Sequence, residues 1–313
     1  MATICVLGGS GFVGRQVCAA LATSGLRLRV PTRSRDLAKH LTMLPTCETI
    51  AADVHNPAAL KELISGCDAV VNLVGVLHGG RGNASFENAH MGLAQKVIAA
   101  CRETGVRRVL HMSALNAAVD GPSAYLRSKG TAEKLMRDSG LDVTIFRPSV
   151  IFGREDQFLN LFARILKSAP ALIVPMGNAK FQPVHVGDVA LAFVEAYKRR
   201  DSIGRTYDLV GPRVWTMREL GQFVADAMGS TKPVFGADVT LSNIMAFAME
   251  CLPGKMMSVD NVRSMSVDCV STGTTFPFGI TPQSVEAVAP GYVANASPRG
   301  RYAAYRDRTR RLT

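Results

Sequence analysis

The stretch Thr3-Ile-Cys-Val-Leu-Gly-Gly-Ser-Gly-Phe-Val-Gly14 limits the fold more than any other part of the chain. Its short apolar run (Ile4, Val6, Leu7) stops at Gly8, and Gly11 and Gly14 follow at three-residue steps. Past Gly11 the apolar period lengthens, so that Val13, Val17, Ala20 and Leu21 share one helical face, and Ser24-Gly25 closes the helix. The pattern predicts strand, glycine turn and helix, with the turn at the helix N-terminus. Backbone N–H groups there lack helical partners and the helix dipole is positive, which suits a pyrophosphate. Gly8 permits the tight turn, Gly11 lets phosphates approach the backbone, and Gly14 lets the helix sit close to the strand; Phe12 and Val13 belong to the same cradle. Glycines at this spacing also occur in ordinary turns, but here the strand and helix flank them on both sides.

A second strand, Leu26 to Val30, runs into Pro31-Thr-Arg-Ser-Arg35. In a dinucleotide fold this strand end meets the adenosine ribose. An acid there would take the 2′-hydroxyl of NAD(H); Arg33 and Arg35 instead suit the 2′-phosphate of NADP(H). NADP(H) is therefore the expected cofactor, with NAD(H) as the second choice. After a third strand (Glu48 to Ile50), Asp53, followed by Val54, either meets the adenine edge or caps a helix beginning near Pro57. Cys67 to Gly75 reads as a nearly continuous buried strand whose end, Asn72-Leu73-Val74-Gly75, passes behind the cofactor. A glycine-rich loop (Gly79, Gly80, Gly82), a helix from Phe86 to Thr104 and a fifth strand from Arg107 to Ser113 follow.

The candidate chemistry lies just beyond. Tyr125 and Lys129 are i and i+4, so on a helix beginning near Pro122 they share a face. A free tyrosine has a pKa near 10 and exchanges protons poorly at neutral pH; a nearby ammonium stabilises its phenolate. Lys129 is also placed to meet the nicotinamide ribose, and Ser113, at the strand end, to hold a substrate oxygen. A bare Tyr-x-x-x-Lys carries no information. After a glycine turn and a strand-end Ser it points to a catalytic set of Ser113, Tyr125 and Lys129.

These residues, with Asp53, Arg147-Pro148-Ser-Val-Ile-Phe-Gly153 and Phe181-Gln-Pro-Val-His-Val-Gly-Asp188, resemble the extended short-chain dehydrogenase/reductases in their atypical branch. Within that branch the chain is similar to the nucleotide-binding accessory subunits of respiratory complex I and their bacterial homologues. The resemblance implies a doubly wound Rossmann fold and cofactor contacts from Val54 and Pro148. It also implies a Tyr/Lys/Ser set, usually completed by an Asn; here His90 falls at the matching place. It implies two functions that compete. One is an NADP(H)-dependent oxidoreductase or epimerase-like enzyme on an apolar, quinone-type substrate. The other is a non-catalytic NADPH-binding accessory or assembly protein of a respiratory complex.

Later segments read as a helix from Gln157 to Leu166, a helix capped by Asp188 and ending at Tyr197, and a strand from Thr206 to Val210. A capping box, Thr216-Met-Arg-Glu219, opens a helix to Met228. The Met- and Phe-rich segment from Leu241 to Met257 suits core packing first, then a greasy pocket, a partner helix or a membrane surface. The apolar part of that segment is too short to span a bilayer. The seven cysteines show no C-x-x-C spacing and read as small core residues in a reducing compartment. No metal site is indicated. Met1 leads almost directly into the first strand, so no signal peptide is expected and the expected location is cytoplasmic, with peripheral contact at the inner face of a membrane. The formal net charge is +11; between Arg299 and Arg311 six arginines face one acid, Asp307, leaving +5 in the tail and +6 elsewhere. No nucleic-acid module is present, so the expected partners are a dinucleotide, an apolar substrate or protein, and an anionic surface.

The fold expected is α/β, a doubly wound parallel Rossmann sheet with a smaller, interleaved C-terminal lobe. The dinucleotide domain covers 1–153 and the lobe 154–298, with Rossmann elements returning over about 186–228 and a basic tail at 299–313.

Overall fold

The apolar runs of the first half become strands, buried on both faces at the centre of the sheet and partly exposed at its edge. In the computed structural model these are β1 (Thr3–Leu7), β2 (Arg27–Thr32), β3 (Cys47–Ala51), β4 (Ala69–Asn72), β5 (Arg108–Met112) and β6 (Asp142–Pro148). The helices between them are α1 (Phe12–Thr23), α2 (Pro57–Ile64), α3 (Leu93–Thr104) and α4 (Ala124–Arg137). Then come α5 (Leu159–Ser168), α6 (Val186–Lys198), β7 (Thr206–Leu209), α7 (Met217–Ala227) and α8 (Val239–Glu250). The structure describes residues 1–294 apart from Arg35, His78, Arg81, 251–256 and Thr274.

The seven strands form one parallel sheet in the order β7-β6-β5-β4-β1-β2-β3. The order reverses between β1 and β4, where Leu7 pairs with Asn72, and ligands of open α/β sheets bind at the strand ends beside such a reversal. The doubly wound Rossmann class is therefore observed. One face of the sheet is covered by α2, α3 and α4, whose Leu60, Leu93, Val97, Ala132 and Met136 close over Cys5, Val70, Val109 and Val143. On the other face α1 packs against α6. Burying a Val or Leu of this kind contributes about 1.5–3 kcal/mol. Cys5, Cys18, Cys67 and Cys101 are buried thiols, and every cysteine among the described residues is free.

The chain divides into two units. The first comprises Met1–Pro148, Val186–Leu209 and Gly273–Ile280 and contains the sheet; the second comprises Ser149–His185, Val210–Thr272 and Thr281–Thr313. The second has its own core, Phe152, Leu159, Phe162, Leu172, Trp215, Leu220 and Val224, built on α5, α7 and pairs of short strands. The capping box at Thr216 and Glu219 is present and opens α7.

Three local expectations need correction. Asn56, not Asp53, caps α2: its Oδ1 accepts from the N–H groups of Ala58 (3.0 Å) and Ala59 (3.3 Å). Asp53 instead turns its own backbone, with Oδ1 accepting from His55 N–H at 2.9 Å. β4 stops at Asn72 rather than continuing to Gly75, because the Asn72 side chain takes the next free amide, accepting from Val74 N–H at 3.2 Å. Asp188 does not cap α6, which already begins at Val186, and it lies buried in the first turn.

Candidate functional site

The glycine turn is built as a cradle. Gly8 has φ +81°, a backbone conformation that suits glycine, and it packs on the chain leaving β4, so that a Cβ there would meet Val74 N at 3.1 Å. A Cβ on Gly14 would sit 2.1 Å from Gly8 O, which is how α1 comes so close to β1. Gly11 is the N-cap of α1, and no side chain caps the helix there. Phe12, Val13 and Gly14 form its first turn. Helix amides left open at this place favour an anion.

Across the strand reversal, Leu73 is buried, Val74 half-buried and Gly75 exposed. A Cβ on Gly75 would lie 3.0 Å from Lys129 Nζ and 3.5 Å from His90 Nε2. The exposed Gly75 backbone is thus a floor with an ammonium and an imidazole directly behind it. Lys129 is 3% exposed and donates to Met112 O at 3.2 Å. Burial lowers its pKa to about 8. Ser123 caps α4, accepting from Leu126 N–H at 3.1 Å, and Tyr125 stands one turn before Lys129. Tyr125 is half-buried, with its ring edge-on to His90 (5.7 Å) and to Phe86 (6.0 Å).

Ser113 turns elsewhere. It is 2% exposed and its hydroxyl donates to Glu133 Oε2 at 2.9 Å. Glu133, also buried, accepts both Arg147 Nε (2.9 Å) and Arg147 Nη2 (2.6 Å) and pairs with Arg137. This hydrogen bond raises the Arg147 pKa above its ordinary value. The expectation that Ser113 holds a substrate oxygen meets a hydroxyl already engaged in a buried ionic network.

At the adenosine end, Arg33 is exposed directly after β2, and Asp53 is exposed with Val54 half-buried after β3. Burial lowers the His55 pKa, opposed by Asp53, and the charges of Lys96 and Arg33 lower it further. Arg35 lies outside the described residues. Pro148 is buried at the end of β6, its carbonyl accepting from Leu115 N–H at 2.9 Å.

Sequence reasoning gave too little weight to His90 and passed over Glu133 and His111. Glu133 follows Lys129 by one helical turn on the face that begins at Tyr125, a signal that was available. His90 occupies a single π-helical turn, Glu87–Gly92, before α3. His111, buried on β5, takes a hydrogen bond from Asn72 Nδ2 at 3.3 Å on Nδ1, while its Nε2 has no hydrogen-bond partner among the described residues. Burial, reinforced by Lys129, lowers the His111 pKa to about 3. Among the described residues no His, Cys, Asp and Glu group could hold a metal, and no helix is long and apolar enough to cross a membrane.

The exposed glycine floor and the open first turn of α1 fit a nicotinamide dinucleotide. Residues 8–158 match the NAD(P)H-binding family model. Over 289 residues the chain is 30% identical to NADH dehydrogenase (ubiquinone) 1 alpha subcomplex subunit 9, mitochondrial, of Arabidopsis thaliana, covering 87% of this chain and 72% of that protein. It is 30% identical over 202 residues to ceramide reductase of Caulobacter vibrioides, covering 64% of this chain and 62% of that one. Among solved structures, the dTDP-glucose 4,6-dehydratase DesIV of Streptomyces venezuelae, with NAD and TYD bound, superposes with a TM-score of 0.72 at 20% identity, covering 95% and 98% of the two chains.

Proposed function

This chain belongs to the atypical extended short-chain dehydrogenase/reductases, in the family of subunit 9 of the respiratory NADH dehydrogenase, and on that premise we propose that it is an NADP(H)-dependent reductase or epimerase-like enzyme acting on an apolar, quinone- or lipid-type carbonyl substrate. The observation that carries this reading is the exposed Gly75 backbone lying directly over the Lys129 ammonium, with Tyr125 one turn away on the same helix. When bound, the dinucleotide supplies or accepts a hydride. The chain's own residues do the rest. The Gly8–Gly14 cradle and the first turn of α1 hold the pyrophosphate, and Asp53 and Val54 meet the adenine. Tyr125 holds the proton exchanged with the substrate oxygen. Lys129 supplies positive charge under the site, which favours the phenolate. Ser113 acts through Glu133 as a positioning residue for α4.

The preference for NADP(H) is supported by Arg33 and by the lack of an acid at the end of β2. Peripheral contact with a membrane or an apolar partner is supported by α8, which carries no charge before Glu250 and leaves Leu241, Ile244 and Phe247 exposed. A second reading, a non-catalytic NADPH-binding accessory protein in the cytoplasm, is favoured by the engagement of Ser113 with Glu133. The test is titration of the purified protein with NADPH and NADH, alongside Arg33→Ala. Loss of the 2′-phosphate contact costs about 1.5–3 kcal/mol, roughly ten- to a hundredfold in NADPH affinity, with NADH unaffected. Equal affinities in the parent protein end the NADP(H) preference.

A further inference from the structure

We infer that His90 is the positioning residue of this site: a neutral crossbar, hydrogen-bonded at both ring nitrogens, that holds the Gly75–Val76 backbone and the Tyr125 turn of α4 in register for the nicotinamide end of a dinucleotide. The inference rests on the dinucleotide reading above and assigns the residue that shapes its floor.

The heavy atoms fix the tautomer. Val76 N–H donates to His90 Nε2 at 3.1 Å, so that nitrogen carries no proton. His90 Nδ1 lies 2.8 Å from Ser128 Oγ, and that hydroxyl gives its proton to Tyr125 O at 2.8 Å. Nδ1 is therefore the protonated nitrogen and donates to Ser128. A second proton could enter only at Nε2, by breaking the bond to Val76. Burial, then the charge of Lys129 and the neighbouring His111, opposes this and lowers the His90 pKa to about 2. His90 is thus not a proton carrier.

Each end of the crossbar touches a working part of the site. Val76 adjoins Gly75, the exposed floor, and Nε2 is 3.5 Å from where a Gly75 Cβ would stand. Ser128 adjoins Lys129, and its hydroxyl is tied to the Tyr125 carbonyl. The ring also stacks on Phe86 (6.0 Å, 26°) and meets Tyr125 edge-on, so the phenol rests against the same imidazole. The π-helical turn sets His90 at this depth; such turns occur frequently at functional sites. His111 makes neither connection. Its Nδ1 instead takes the hydrogen bond from Asn72 on the neighbouring strand.

A packing role and a positioning role separate in three variants. His90→Phe keeps ring volume and loses both hydrogen bonds. His90→Gln can keep an acceptor toward Val76, and His90→Asn a donor toward Ser128. NADPH affinity should fall about tenfold or more in His90→Phe, recover mostly in His90→Gln and little in His90→Asn. The ¹⁵N spectrum of the parent should show His90 protonated at Nδ1 and bare at Nε2, unchanged from about pH 5 to pH 9. A folded His90→Phe that binds NADPH like the parent, or an imidazole that titrates in that range, overturns the inference. If His90→Phe does not fold, the ¹⁵N spectrum and the contrast between Gln and Asn decide. If the parent binds neither nucleotide, the dinucleotide reading has failed, and the tautomer measurement still judges the crossbar.

Discussion

Ser113 and Glu133 are joined by a 2.9 Å hydrogen bond inside the protein, with Arg147 completing the pair at 2.6 and 2.9 Å. The contact fastens α4 to the ends of β5 and β6, and with α4 it fixes Tyr125 and Lys129 above the sheet. The Ser113 hydroxyl is thereby tied to the frame that carries α4.

Two variants follow from this contact. Ser113→Ala should lower unfolding stability by about 1.5–3 kcal/mol, the usual worth of a hydrogen bond to a charged group, and leave NADPH affinity nearly unchanged. Glu133→Gln removes the buried charge that Arg147 depends on and should cost about 3 kcal/mol or more. Urea unfolding and cofactor fluorescence measure both. A stable Ser113→Ala protein that has lost turnover a hundredfold would return Ser113 to direct catalysis.

The turn from Gly8 to Gly14 was legible in the sequence because its requirements are local: a positive φ at Gly8 and a close approach at Gly14 are written in consecutive residues. The parallel sheet was legible for the same reason, since strands buried on both faces read as unbroken apolar runs. The Glu133 contact of Ser113 was not legible because that partner stands on the next helix, and a strand-end hydroxyl carries no sign of which way it points. Similarly, β4 looked longer than it is because Leu73 and Val74 are apolar, while the residue that ends pairing is the polar Asn72. Helix register alone set His90 at the place of the family's Asn; its role was not legible there, because its hydrogen bonds come from residues distant in sequence.

Gly14 and Gly11 should respond differently to the same added methyl. In Gly14→Ala the Cβ would lie 2.1 Å from Gly8 O, a backbone atom that cannot yield without moving β1 or α1. About 3 kcal/mol of stability should be lost. In Gly11→Ala the nearest atom is Gly8 O at 3.3 Å and the backbone, at φ −78°, accepts alanine. That variant should melt within a few degrees of the parent and bind NADPH more weakly, because the methyl occupies the approach to the first turn. Equal melting temperatures for the two would refute the close-packing argument.

Lys129 gives stability a pH signature. Its folded pKa is lowered from 10.5 to about 8 by burial, so between those values the unfolded chain binds more protons than the folded one. Stability from this group is fully present above about pH 10.5 and is lost as pH falls through about 8. Relative to Lys129→Met, which removes the titration, the parent should gain about 3 kcal/mol between pH 7 and 10.5. Urea unfolding of both proteins across that range gives the difference. A flat difference would mean that the ammonium finds solvent or a counter-charge in solution.

Tyr125→Phe divides the enzyme from the accessory protein. The substitution removes one hydroxyl and keeps the ring, so the edge-on contacts with His90 and Phe86 remain. If Tyr125 exchanges a proton with substrate, turnover should fall a hundred- to ten-thousandfold while NADPH affinity changes little, since the cofactor cradle is built by glycine backbone and α1. Lys129→Met should depress both, because the ammonium underlies the Gly75 floor as well as the phenol's helix face. If the protein only holds its cofactor, Tyr125→Phe should leave nucleotide retention and partner binding intact, and Gly11→Ala should still weaken retention. The measurements are NADPH binding by fluorescence and its oxidation with a panel of quinones, lipid ketones and nucleotide sugars. A parent that binds NADPH tightly, oxidises it with none of these and tolerates Tyr125→Phe would decide for the accessory role. A Tyr-dependent turnover with any one of them would decide for the enzyme and name its substrate class.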